Sequence, residues 1–478
     1  MTTQSSSMDQ RQNRDAIKTA IAVLKQRFGD QLTESKAVCQ QHGHTTTWIP
    51  TQAPDAVVFA RATDDVVDIV KICATHKIPV IPFGVGTSLE GQVNAPFGGI
   101  TIDLSLMDQV LRVNSTDIDC VVQPGVTRER LNDYLRDTGL FFPVDPGANA
   151  SIGGMVATRA SGTNSVRYGT MKDNVLALKA VLPDGRILKT SSRARKSAAG
   201  YDLTRLLVGS EGTLGIITEI TLRLHGIPEA TLGGICPFPT IEDACNAVIS
   251  TIQCGIPVAR MELLDELQIK ACNAYSKLDL NEVPTLFLEF HGSEAGVLEQ
   301  SQFFKEIASD NNGGEFIWAT KAEDRSRLWA ARHDAYFATL ALRPGAQSIS
   351  TDVCVPISRL AECVLQTQKD VEAFGLIAPI VGHVGEGNFH CCPLVDVNDD
   401  EEMGRCKTFI ERLNRRAIEM EGTCSGEHGI GQGKKKYMLD EHGYGVDVML
   451  AIKRAIDPDN IMNPDKIFTG GSEGVNCH

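Results

Sequence analysis

Three of the chain's 11 histidines stand in two short motifs of the C-terminal half. One reads Gly382-His-Val-Gly-Glu-Gly-Asn-Phe-His390, the other Ser425-Gly-Glu-His-Gly-Ile-Gly431. A turn at Gly385–Gly387 can fold the chain back so that His383 and His390 face one point. Two imidazoles and the Glu427 carboxylate make a donor set for a divalent ion such as zinc or manganese, with positions left open for a substrate. His428 follows Glu427 directly and suits a general base better than a fourth ligand, since imidazole titrates near neutral pH. Polar residues in ordinary turns are the plain alternative, and for any one histidine alone it is the better reading. The segment Gly431-Gln-Gly-Lys-Lys-Lys436 is not a phosphate loop. No glycine stands five positions before Gly433, and Lys435 replaces the Ser or Thr that would hold magnesium. The lysine run reads as a solvated face or a helix start.

Glycine-rich segments fill the N-terminal half. Pro79–Gly91 runs from a strand into a loop carrying Gly84, Gly86, Thr87 and Ser88. Glycines let backbone N–H groups approach a phosphate, and the hydroxyls add donors. A tight turn explains this loop equally well by itself. A dinucleotide fingerprint does not apply: the spacing is Gly-x-Gly-x-x-x-x-Gly, and Pro96 opposes a following helix. Two further segments, Pro143–Asn164 followed by Arg167-Tyr-Gly-Thr170, and Gly209–Glu219, pack small residues and hydroxyls between strands. So much tightly turning backbone points to a large phosphate-bearing cofactor.

These segments resemble the FAD-binding half of the vanillyl-alcohol oxidase/p-cresol methylhydroxylase flavoproteins. Within them the chain is most similar to the branch holding D-lactate dehydrogenase (cytochrome), the glycolate oxidase FAD subunit and D-2-hydroxyglutarate dehydrogenase. The resemblance runs from about Gln41 to Ile467 and includes Pro82–Gly91, Phe142–Tyr168, Lys196–Asp202, Gly209–Thr218, Gly382–His390 and Ser425–Gly433. It implies an FAD-dependent dehydrogenase that oxidises a small D-2-hydroxy acid to a 2-keto acid by hydride transfer to flavin N5. D-lactate is the first choice; D-2-hydroxyglutarate, glycolate or a non-catalytic flavin subunit of a larger complex are the alternatives. The resemblance puts Gly84, Gly86, Thr87 and Ser88 on the pyrophosphate. Gly147, Gly153, Gly154, Ser161 and Gly162 would line the ribityl chain and ring. Glu211, Gly212 and Ile217 would hold the adenosine end or the ring edge. His383, His390 and Glu427 match the metal ligands of this branch, and His428 the base. Arg332, on a helix around Trp329–Asp334, becomes the candidate for the substrate carboxylate, since a guanidinium grips both oxygens; by itself it would read as a surface arginine. The first loop has no histidine to tether FAD, so FAD is expected to bind non-covalently. Cytochrome c or a quinone would accept the electrons. Ser348–Pro356 carries no lysine or arginine for a second carboxylate, which favours a monocarboxylate.

An α+β fold must position these residues. Residues 1–50 read as a polar arm with a helix at Ile17–Phe28. Residues 51–228 read as an α+β cofactor domain, which the resemblance implies is a two-part FAD-binding domain of the p-cresol methylhydroxylase (PCMH) type. Its strands fall near Gly99–Leu104, Cys120–Gln123 and Leu214–Leu224, and its helices at Thr63–His76 and Thr127–Thr138. Residues 229–470 read as an α+β substrate domain with an antiparallel sheet and a C-terminal helical segment. Strands are expected at Thr285–His291, Gln347–Cys354 and Ala378–His383. Helices are expected over 241–252, where Thr240 and Asp243 occupy capping-box positions, and over 402–421, with Gly422 placed to end it. With 478 residues, 42% hydrophobic and 22% charged, the chain has ample core material. Its formal net charge of −14 argues against a general nucleic-acid binder. No stretch is apolar enough for a transmembrane helix. The polar first residues lack a secretory or transit signal, and scattered cysteines suggest reduced thiols. A cytoplasmic enzyme, or one resting on the inner membrane, is therefore expected; a homodimer is compatible.

Overall fold

The computed structural model describes residues 3–319 and 322–469. Three sheets carry the architecture. In the first, the strands Ala56–Phe59 and Val80–Phe83 flank Ile100–Asp103 in parallel, and Leu32–Thr33 closes one edge antiparallel. All four residues of Ile100–Asp103 are buried, as a strand covered on both faces requires. The helix Thr63–His76 lies on this sheet through Val66, Ile69, Val70 and Cys73. In the N-terminal helix, Thr3–Phe28, the stripe of Ile17, Ala20, Ile21, Leu24 and Phe28 enters the same core.

The second sheet is antiparallel and runs in the order Val110–Asn114, Asp119–Val122, Ile216–Arg223, Val175–Val181, Ile187–Lys189. From Ala230 the chain builds a third, seven-stranded antiparallel sheet. Its middle holds Thr285–Gly292, Val258–Leu264, Ile380–Gly382 and Asn388–Cys391 as successive neighbours. The helices Ile241–Gln253, Leu360–Phe374 and Asp400–Glu419 pack into its core.

The segment 347–354 runs in one register beside 388–395, with Gln347–Ser348 and Val353–Cys354 as its two strands. Between them Ile349 and Thr351 still donate to the Pro393 and Cys391 carbonyls, but Pro393 has no N–H to return and the Cys391 N–H goes to the Thr351 hydroxyl. One local expectation is corrected. The helix Asp400–Glu419 is not ended by a left-handed glycine: Glu421 takes the left-handed turn at φ 63°, and a Cβ on Gly422 would lie 2.3 Å from the Cys354 carbonyl oxygen. Gly422 is there for close approach, not for its dihedral freedom. Thr240 does cap its helix, accepting from the Asp243 N–H, and its hydroxyl donates to the Asp243 carboxylate at 2.6 Å.

After Ile430 the chain returns to the first sheet. Met462 bridges to Val80, Asn463 donates to the carbonyls of Gln92 and Glu211, and buried Lys453 donates to the Thr213 carbonyl. The cavity described next lies between the two halves that this segment ties together.

Candidate active site

A cavity of about 520 Å³ runs from the glycine loops of the N-terminal half to the histidine motifs of the C-terminal half. Gly84, Gly86, Thr87, Ser88, Gly147, Gly153, Gly154, Glu211, Gly212 and Ile217 line its first part; Arg332, His383, His390, Glu427 and His428 line its far end. The first part fits a large, phosphate-bearing cofactor. The hydroxyls of Ser88 and Ser151 are buried there without a partner, a costly state unless a ligand satisfies them. A Cβ built on Gly147 would meet nothing within 4 Å, so this glycine leaves open space that a ligand can use. Among the described lining residues Arg332 is the sole Arg or Lys, so a diphosphate here would be held by backbone N–H groups and hydroxyls.

Some residues expected along the cofactor also make contacts within the protein. Ser161 and Gly162 are not among the lining residues. The Ser161 hydroxyl donates to Glu427 Oε2 at 2.7 Å, and a Cβ on Gly162 would lie 2.3 Å from the Asp145 carbonyl oxygen. Glu211 borders the cavity, but its two carboxylate oxygens accept from the N–H groups of Ile430 and Gly431, each at 2.7 Å. Burial pushes the Glu211 carboxyl up to about 7. Gly212 sits at φ 71° with Pro82 so near that a Cβ would lie 2.4 Å from its Cγ.

At the far end a hairpin presents both histidines. Ile380–Gly382 pairs with Asn388–Cys391, and Gly387 at φ 83° closes the turn. The rings of His383 and His390 stand 5.6 Å apart and nearly perpendicular. His390 Nδ1 lies 2.9 Å from the Thr351 carbonyl, which can only accept, so Nδ1 carries the proton. His383 Nδ1 lies 2.7 Å from Glu262 Oε1. Burial opposes ionisation of Glu262, but His383 and Arg332 hold its carboxyl below the usual range, so His383 Nδ1 is also the donor. Each Nε2 is thereby turned to one oxygen, 3.3 Å from Glu427 Oε1. Burial opposes a charged His383, but the Glu262 and Glu427 carboxylates raise it well above the ordinary histidine range, so a bound cation would take the place of its second proton. Two imidazole nitrogens and a carboxylate oxygen converging on one spot fit a divalent cation, with acceptors behind each imidazole as in known carboxylate–histidine–metal arrangements.

A second geometric grouping is Asp352, His390, Glu427 and His428, whose donor atoms lie within 4.8 Å of one another. We favour the His383 set, because Asp352 is already committed. Its Oδ2 accepts from the N–H groups of Glu427 and His428 and from the Ser425 hydroxyl, and its Oδ1 accepts from Asn388 Nδ2. Asp352 thus shapes the 425–429 turn. The His428 ring stacks on His390 at 5.1 Å, with its Nδ1 buried and unpartnered. Burial pulls its pKa down to about 4, so the ring is neutral and able to accept a proton.

Arg332 reaches the cavity, yet its Nε and Nη2 both donate to Glu262 Oε2, at 2.9 and 2.5 Å. Glu262 and Asp352, both fully buried, are the site residues that sequence reasoning missed. Glu262 left a signal: a carboxylate inside Val-Ala-Arg-Met-Glu-Leu-Leu, a strand reading as buried, must be paired. Asp352 left none, since its partners come from distant segments.

Fold and site together define a flavin-dependent oxidoreductase. The chain matches the FAD binding domain family over residues 54–191 and the FAD linked oxidases, C-terminal domain family over residues 227–467. Its fold is that of 4-ethylphenol oxidase from Gulosibacter chungangensis (TM-score 0.78, 18% identity, covering 95% of this chain and 97% of that one). It is equally that of p-cresol methylhydroxylase (TM-score 0.78, 17% identity, covering 95% and 97%). The chain belongs to the FAD-linked oxidase family, in the branch of the D-lactate dehydrogenases. It is 50% identical over 458 residues to the probable mitochondrial D-lactate dehydrogenase of Danio rerio, covering 95% of this chain and 92% of that one. It is 47% identical to the mitochondrial D-lactate dehydrogenase [cytochrome] of Arabidopsis thaliana, covering 94% and 80%.

Proposed function

We propose that this protein is an FAD- and metal-dependent dehydrogenase that oxidises D-lactate to pyruvate. The observation that carries the reading is the convergence of His383 Nε2 and His390 Nε2 on Glu427 at the end of a glycine-lined cavity. The high identity to named D-lactate dehydrogenases supports the substrate. FAD, when bound, supplies a two-electron acceptor. A divalent ion held by His383, His390 and Glu427 supplies Lewis acidity toward a hydroxyl oxygen.

The chain's own residues do the rest. Neutral His428 removes the hydroxyl proton of C2, and its stacking on His390 fixes the ring in place. Arg332 has two of its five N–H donors on Glu262. Its Nη1 and the outward hydrogen of Nη2 remain as an end-on pair for the substrate carboxylate. Tyr336 and Val381 line the cavity and would restrict water around a bound substrate. With Arg332 the sole lining Arg or Lys among the described residues, a second substrate carboxylate finds no fixed cation, which supports a monocarboxylate. No histidine lies in the first glycine loop, so FAD is held non-covalently.

The "[cytochrome]" in the relatives' names supports a cytochrome acceptor; a quinone is the alternative. None of the helices among the described residues is long and apolar enough to cross a membrane. The described cysteines are all free thiols, which supports a reducing compartment, the cytoplasm or a mitochondrial matrix. The test is turnover of the purified yellow protein with D-lactate and cytochrome c, before and after dialysis against a chelator. Pyruvate formation that is lost on chelation and restored by zinc or manganese supports the reading. Turnover that a chelator leaves untouched in a metal-free preparation ends the metal assignment.

A further inference from the structure

Glu262 touches both Arg332 and His383 and does not line the cavity. It stands on the strand Val258–Leu264 with its side chain 0% exposed. Oε1 accepts from His383 Nδ1 at 2.7 Å, while Oε2 accepts from Arg332 Nε at 2.9 Å and Nη2 at 2.5 Å. The three residues come from three elements. Glu262 lies on that strand, Arg332 ends the helix Ala322–His333, and His383 follows the strand Ile380–Gly382.

Resting on the function proposed above, we infer that Glu262 is a positioning residue that registers the metal ligand His383 against the substrate-binding Arg332. The argument is one of donor and acceptor counting. An ionised carboxylate accepts on both oxygens and donates nothing. On one side it holds the His383 Nδ1–H, so that Nε2 is the nitrogen facing Glu427 and open to ligation. On the other it takes the Nε edge of the guanidinium and aims the end-on pair into the cavity. A shared rigid anion therefore sets the distance between the ion that binds the hydroxyl oxygen and the cation that binds the carboxylate. A 2-hydroxy acid carries those two groups on adjacent carbons, so that distance is what such a site must hold constant. The plain alternative is that Glu262 only neutralises a buried arginine, as many buried carboxylates do.

Glu262→Gln separates the two. An amide has one acceptor oxygen and cannot serve both neighbours. With its oxygen on Arg332, its NH₂ faces His383 Nδ1. The ring must then move its proton to Nε2, where it blocks ligation. In the FAD-loaded variant, metal affinity measured by chelator competition should be weakened 10- to 100-fold, the usual effect of losing a partner behind a ligating histidine. The KM for D-lactate should rise about tenfold, with FAD content unchanged. A lower melting temperature with metal affinity and KM both unaltered would overturn the inference and leave only the structural role. Should the wild-type protein take up neither zinc nor manganese, the metal reading fails by itself. The KM arm then decides: an unchanged KM in Glu262→Gln overturns the inference, and a raised one upholds the Arg332 half of it. If Glu262→Gln does not fold, Glu262→Asp replaces it. That variant keeps the charge but is too short to reach both partners, and the same losses are expected.

Discussion

His383 and His390 owe their usefulness to the atoms behind them. The Thr351 carbonyl and Glu262 each hold an Nδ1 proton, and both Nε2 atoms are thereby aimed at Glu427. The motifs Gly382–His390 and Ser425–Gly431 were readable in the sequence because their residue types announce chemistry. Their supports, Glu262 and Asp352, were not, because a buried carboxylate looks like any other until its partners are known. The resemblance places Ser161 along the cofactor, and its hydroxyl donates to Glu427. Two predictions belong at this scale. His428→Gln should keep FAD bound and slow flavin reduction by D-lactate about 10²- to 10⁴-fold, the range for loss of a general base. Stopped-flow absorbance checks it, and reduction at the wild-type rate would remove His428 from the mechanism. Gly147→Ala should leave the stability of the apoprotein within about 0.5 kcal/mol, because its Cβ enters open space. The same change should weaken FAD about tenfold, measured by fluorescence on reconstitution.

The histidine hairpin shows how an element carries a site. Gly382 has no room for a side chain: a Cβ would lie 2.4 Å from the Phe389 Cα and 2.7 Å from the Asn388 carbonyl oxygen. Gly382→Ala should therefore force the strands apart, costing about 1–3 kcal/mol, and displace His383 from His390. Urea denaturation with a metal assay of the same sample checks this; full metal content at undiminished stability would contradict it. Long periodic elements were legible. Thr63–His76 emerges with the expected bounds and buried face, and the strand over Thr285–His291 extends by one residue. The stretch 347–354 keeps the single register that one strand would have, but its ladder is broken where Pro393 has no N–H to donate and the Thr351 hydroxyl takes the Cys391 N–H. That break comes from the partner run 388–395, which no local window contains.

At the scale of the whole molecule, the substrate end of the cavity exists because the seven-stranded sheet faces the FAD-binding half. The returning segment after Ile430 locks that arrangement. Buried Lys453 is part of the lock, donating to the carbonyls of Thr213 and Met462 and paired with Asp457. Lys453→Met should cost about 3–5 kcal/mol, because it strands a buried carboxylate; thermal unfolding of the holoprotein checks it. The α+β class and the composition of the cavity's two ends followed from the sequence. The return of the chain's end to the first sheet did not, because the polar contacts that fix it, such as Asn463 to Glu211, join residues 252 positions apart. The central claim concerns what this assembly oxidises, and anaerobic reduction of the bound flavin tests it most directly. D-lactate, L-lactate, glycolate and D-2-hydroxyglutarate are each mixed with the metal-loaded holoenzyme while the visible flavin absorbance is followed. Rapid bleaching by D-lactate, far slower bleaching by the others, and loss of the fast phase with a chelator are the predicted result. Bleaching led by D-2-hydroxyglutarate, or by no 2-hydroxy acid at all, would contradict the account.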